Sequence, residues 1–106
     1  MKDELIPGTL EVLVLGIVAH SPLHGWGIAQ KLKLLSREVF AVNQGSLYPA
    51  LHRLEAEGWI TAEWKATEEG RQAKFYSLSR TGRKRLTTER ARWVRVSTAM
   101  NWVLDA

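Results

Sequence analysis

Three histidines, a dense group of arginines and lysines, and one helix-length run with a tyrosine, a histidine and an arginine along one side are the residues of this 106-residue chain that could do chemistry. Catalysis fails first. With no cysteine, thiolate zinc sites, cysteine nucleophiles and disulfide frameworks are all excluded, and no serine stands in a nucleophile-elbow pattern. His20 and His24 have the spacing of a helical metal pair, but Ser21-Pro22 between them breaks the helix that would align them, and His52 lies far along the chain. Neither a triad nor a metal cluster can be assembled, so the chain reads as a non-enzyme without metal or other cofactor.

Charge points elsewhere. From Arg71 to Arg95 there are nine basic residues (Arg71, Lys74, Arg80, Arg83, Lys84, Arg85, Arg90, Arg92, Arg95) against the single acid Glu89, while the remainder carries six bases and ten acids. Phosphate neutralisation needs cations gathered on one side, and this segregation fits a polyanion partner as well as it fits a solvated arginine-rich helix face.

The stretch Asn43-Gln-Gly-Ser-Leu-Tyr-Pro-Ala-Leu-His-Arg-Leu-Glu-Ala-Glu-Gly-Trp-Ile60 carries the most information. Read as a helix capped by Ser46, with Pro49 tolerated in a first turn that has spare donors, it places Leu47, Ala50, Leu51 and Leu54 on one face. Tyr48, Pro49, His52, Arg53 and Ala56 fall on or near the other. That outer face mixes a phenol, an imidazole and a guanidinium with small residues, and such groups can reach phosphates or base edges.

The elements that must position this face follow from periodicity. A Pro7-Gly8-Thr9 signal opens an apolar helix that ends before Ser21-Pro22, and a second helix from Gly25 to Ser36 sets Ile28, Leu32 and Leu35 on its inner side. The glycines of His24-Gly25-Trp26-Gly27 allow close approach of another helix or of a phosphate backbone, or serve a tight turn. After Gly58, read as the C-cap, the period becomes two. Ile60, Ala62 and Trp64 alternate with polar neighbours, a polar tip runs from Lys65 to Gln72, and Lys74 to Leu78 returns as the second strand. From Ser79 a last helix carries Leu86, Trp93, Val96, Met100 and Val103 in a heptad-like stripe that a three-helix core cannot absorb, so a second copy of the chain is expected to cover it. Trp102 lies beside that stripe.

The expected fold is therefore mainly α with a small β-hairpin: a winged helix-turn-helix over residues 1–78, followed by a dimerisation helix over 79–106, forming one compact domain. In such a fold the third helix enters the major groove and the hairpin wing lies along the adjacent backbone of double-stranded DNA. Ser46, Tyr48, Pro49, His52 and Arg53, with Lys31, Lys33, Arg71 and Lys74, are the expected DNA contacts. Leu86, Trp93, Val96, Met100 and Val103 are the expected dimer interface. A winged helix used only for contact with an acidic protein is the rival reading. The longest apolar run, Val12 to Ala19, is shorter than the roughly 20 residues of a membrane span, and no membrane association or export is expected.

Leu5-Ile6-Pro7-Gly8-Thr9-Leu10, His24-Gly25-Trp26-Gly27-Ile28, Gly45-Ser46-Leu47-Tyr48-Pro49-Ala50-Leu51-His52-Arg53-Leu54-Glu55, Gly58-Trp59-Ile60 and Lys74-Phe75-Tyr76-Ser77-Leu78 together resemble the PadR family of bacterial transcriptional regulators. The run from Gly45 to Ile60 is the specific part; Trp26 departs from the tyrosine common there. The resemblance implies a cytoplasmic homodimeric repressor on a near-palindromic operator, joined through its single C-terminal helix. In some relatives of this small subfamily a planar aromatic or phenolic molecule is the effector; Trp93 and its symmetry mate, with Trp102 nearby, would be the aromatic residues to line such a pocket, and plain dimer packing is the alternative role for Trp93.

Overall fold

The computed structural model describes residues 8–106; Leu5, Ile6 and Pro7, named above, lie outside them. Helix α1 (Thr9–Val18), the short strand β1 (Leu23–His24) and helices α2 (Gly25–Leu35) and α3 (Gln44–Ala56) precede strands β2 (Ile60–Ala66) and β3 (Gln72–Leu78), and helix α4 (Arg80–Leu104) closes the chain. β1 makes the sheet three-stranded, in the order β1-β3-β2 and antiparallel throughout, where two strands were expected. Two residues flanked by Pro22 and Gly25 carry too little pattern to announce a strand.

One core joins these elements. Val14, Leu15, Ile17 and Val18 of α1, Ile28 and Leu32 of α2, the four inward residues of α3, Ile60 and Tyr76 from the sheet, and Leu86 of α4 are buried together. Leu35, assigned above to the inner side of α2, is instead exposed at the last turn of its helix. Leu86 belongs to this intramolecular core and not to the stripe left for a partner.

Local chemistry sets the ends of α3. Its N-cap is Asn43, not Ser46: the Asn43 Oδ1 accepts the Ser46 amide at 2.9 Å. The helix thus starts a turn earlier than expected, and Pro49 stands inside it, where the missing N–H leaves the exposed Gly45 carbonyl to water. At the other end Gly58 takes φ 76° while its amide bonds Glu55 O and the Trp59 amide bonds Leu54 O, the paired closure of a Schellman motif. The turn from α2 towards α3 has Arg37 and Glu38 at φ 54° and 67°, a left-handed pair without glycine.

α4 is fastened where it starts. The Ser79 hydroxyl accepts the Gly82 amide and donates to Gly58 O, and Thr81 donates to the same carbonyl. Gly82 is pressed so closely on the preceding segment that a Cβ there would stand 1.9 Å from Trp59 O. Arg85 lies over the Trp59 ring at 4.6 Å and is held by Glu89 at 2.8 Å.

Candidate nucleic-acid interface

With Leu47, Ala50, Leu51 and Leu54 fully buried, the rotation of α3 is fixed, and at 100° per residue the ridge pointing directly away from the core is Gly45, Pro49, His52 and Ala56. Three of the four have short side chains or none. The ridge can therefore approach a groove floor closely, with His52 as its one group able to bond a base edge. Tyr48 and Glu55 flank it on the wing side, Ser46 and Arg53 on the α1 side.

Each flank is tied to a neighbour. Arg53 pairs with Glu11 of α1, its Nε donating at 2.9 Å, a link between residues 42 apart that the sequence could not show. Lys74 of β3 donates to Glu55 at 3.1 Å and so locks the wing to α3; this hydrogen bond holds the ammonium above its ordinary pKa. Lys33 lies 3.8 Å from Glu38. Of the expected cationic contacts, Lys31 and Arg71 have no ion pair among the described residues. Exposed pairs of this kind are worth about 0 to 1 kcal/mol, so a phosphate can displace the carboxylate at small cost.

Tyr48 is in the second turn of α3, not the first. Its ring lies over the head of α2, where a Cβ on Gly25 would meet the phenol oxygen at 2.8 Å, which gives the first glycine of His24-Gly25-Trp26-Gly27 its use. His24 caps α2 by accepting the Gly27 amide at Nδ1. Between the head of α2, the Tyr48–His52 flank of α3 and the wing lies an open cleft of about 620 Å³, lined among others by Trp26, Tyr48, His52, Trp64, Arg71 and Lys74. Trp26 and Trp64 were not among the expected contacts. The alternation Ile60-Ala62-Trp64 puts Trp64 on the inner face of the sheet, and the core ends before reaching it.

At the far end of the molecule Trp93, Val96, Met100 and Val103 are exposed along α4. Trp102 does not share their side. Nine residues of continuous helix set Trp93 and Trp102 on opposite faces and about 13 Å apart along the axis, so one chain cannot bring both to one pocket.

A model of the PadR-like transcriptional regulator family matches residues 14–88, from within α1 to the first half of α4. The chain belongs to this family. It is 38% identical over 77 residues to a transcriptional regulator of Mycobacterium tuberculosis, covering 73% of this chain and 68% of that protein. Among solved structures, a PadR-like transcriptional regulator from Bacillus cereus superposes with a TM-score of 0.81 at 30% identity, over 93% of this chain and 94% of the other. A Streptococcus mutans protein gives 0.82 at 27% identity, over 92% and 87%. Members of this family are regulators of transcription, so the chain is a PadR-like transcriptional regulator, which implies DNA as its partner. Among the described residues no helix is long and apolar enough to cross a membrane.

Proposed function

We propose that this PadR-like regulator is a cytoplasmic repressor that binds a near-palindromic operator as a homodimer, with residues up to 78 forming the DNA-binding unit and α4 the joint between two copies. The observation that carries the reading is the pairing of two unsatisfied surfaces on one chain: the short-residue ridge of α3 beside the wing, and the apolar stripe Trp93, Val96, Met100 and Val103 on α4. Two-fold pairing along the stripe covers it and sets two copies of α3 about one turn of DNA, roughly 34 Å, apart. Lys31, Lys33, Arg53, Arg71 and Lys74 from both subunits would neutralise about six to ten phosphates, with Ser46, Tyr48, Pro49 and His52 seated in or beside the groove.

Trp93, at 57% exposure on the stripe, supports a planar aromatic or phenolic effector bound between it and its symmetry mate. Within one chain Trp102 stands on the opposite face of α4, so the reading rests on Trp93. The test is to sequence the fragments that the protein retains from a genomic DNA pool, then follow their release as planar aromatic compounds are titrated against tryptophan fluorescence in a Trp102→Phe background, with a matched Trp93→Phe variant to identify the Trp93 contribution among the remaining tryptophans. Retained fragments sharing a dyad-symmetric site support the reading. A protein-only winged helix would retain nothing at any salt concentration.

A further inference from the structure

The inner face of the wing continues past the end of the core. Register places Ile60 opposite Leu78, Ala62 opposite Tyr76 and Trp64 opposite Lys74, so these three pairs share one side of the sheet. Along that side exposure climbs from 1% at Ile60 to 65% at Trp64. The indole therefore stands on the side that faces α3, outside the core cluster that Ile60 and Tyr76 join. Phe75, on the opposite side, is covered by His24 and Lys65. Across the same cleft Trp26, in the first turn of α2, is 63% exposed, so two indoles and the Tyr48–His52 flank border one opening.

The charges in this opening nearly cancel. Lys74 is held by Glu55, Glu69 lies beside Arg71 on the lining, and Glu68 joins Glu69 in the loop between the strands. A surface made only to attract phosphate would not balance its cations in this way, nor place its largest apolar side chains at the mouth. The faces of deoxyribose rings and the edges of base steps are the apolar parts of a duplex, and indoles match them, whereas phosphates require cations or N–H donors.

We propose that Trp64, with Trp26 opposite it, is an apolar DNA-contact surface of this regulator, packing on the sugar edge of the duplex beside the groove that α3 enters. The assignment rests on the reading that this face binds duplex DNA. It adds an affinity that salt does not screen, because an indole on a sugar releases no counterion.

The full-length protein and a duplex fragment retained from the genomic pool provide the test, with affinity measured by fluorescence anisotropy over a series of salt concentrations. Trp64→Ala is expected to weaken binding about tenfold at every salt concentration, leaving the slope of log affinity against log salt unchanged, with Trp64→Phe retaining most of the affinity. Arg71→Ala, the electrostatic control, removes one cation from each of the two subunits and is expected to lower that slope by about two. In protein labelled with 5-fluorotryptophan, the Trp64 fluorine resonance, assigned through the Trp64→Phe variant, is expected to shift when the duplex is added; this readout uses the unmutated fold. Wild-type binding combined with a Trp64→Ala affinity within twofold of wild type, or a Trp64 resonance unmoved by saturating duplex, overturns the assignment alone. Failure of the wild type to bind any duplex overturns the DNA reading of the face and the assignment with it.

Discussion

The two halves of α4 form one continuous helix in opposite surroundings. In the first, Ser79 and Thr81 fasten the start to Gly58, Gly82 touches the Trp59 backbone and Leu86 enters the core. In the second, Trp93, Val96, Met100 and Val103 meet no core at all. The 25-residue helix is roughly 37 Å long, and it helps draw the molecule out to 55 Å in its longest dimension. A helical segment without tertiary packing is marginal in water. The contrast therefore teaches that the first half is held by its own chain, while the second is built for a surface that another chain supplies.

Breaking the first half should have the largest effect. Gly82→Ala drives a methyl group into a backbone carbonyl that cannot swing aside, and urea unfolding is expected to show a loss of about 3 kcal/mol. Leu51→Ala, in the core cluster that Leu86 joins, should cost about the same through the cavity it leaves. The distal half should respond differently. Val96→Asp combined with Met100→Asp is expected to weaken self-association by about two orders of magnitude, near 3 kcal/mol, read by sedimentation velocity. Circular dichroism should show that α1, α2, α3 and the wing remain folded. Unfolding of those elements in this double variant would show that the two halves are not independent.

A smaller effect separates the two candidate caps of α3. Asn43→Ala should cost about 1 kcal/mol, since it removes the acceptor for the Ser46 amide, whereas Ser46→Ala should change stability by less than about 0.5 kcal/mol. The smallest effect appears only at alkaline pH. Burial pushes the Tyr76 phenol above its ordinary pKa, and the hydrogen bond from Lys74 to Glu55 does the same for the ammonium. In both cases the folded chain holds its proton more tightly than the unfolded chain. Their contribution is fully present below the ordinary values of about 10 and is lost as pH rises through the raised ones. Thermal melts should fall from about pH 10 upward, and less steeply in Tyr76→Phe.

Much of this was legible in the residue order. Leu47, Ala50, Leu51 and Leu54 recur at helical spacing, and their burial fixes which side of α3 faces outward; the run around them also carries the family resemblance. The start of α3 was misplaced because Pro49 favours a first turn, and only the structure shows Asn43 capping a full turn earlier. The Glu11–Arg53 and Glu55–Lys74 pairs join elements far apart in the chain, so no local pattern could reveal that two of the expected DNA contacts are held by carboxylates. Trp64 was visible as the third member of an alternating strand. Its exposure depends on where the α-helical layer beneath it ends, which is a property of packing and not of period.

Sedimentation equilibrium of the unmodified chain, alone and with the duplex retained from the genomic pool, tests most directly whether the distal half of α4 exists to join two DNA-reading units. The expected result is twice the mass of one chain at micromolar concentration, and two chains on each duplex. A single chain in solution and a single chain on the duplex, with Trp93, Val96, Met100 and Val103 all present, would contradict it.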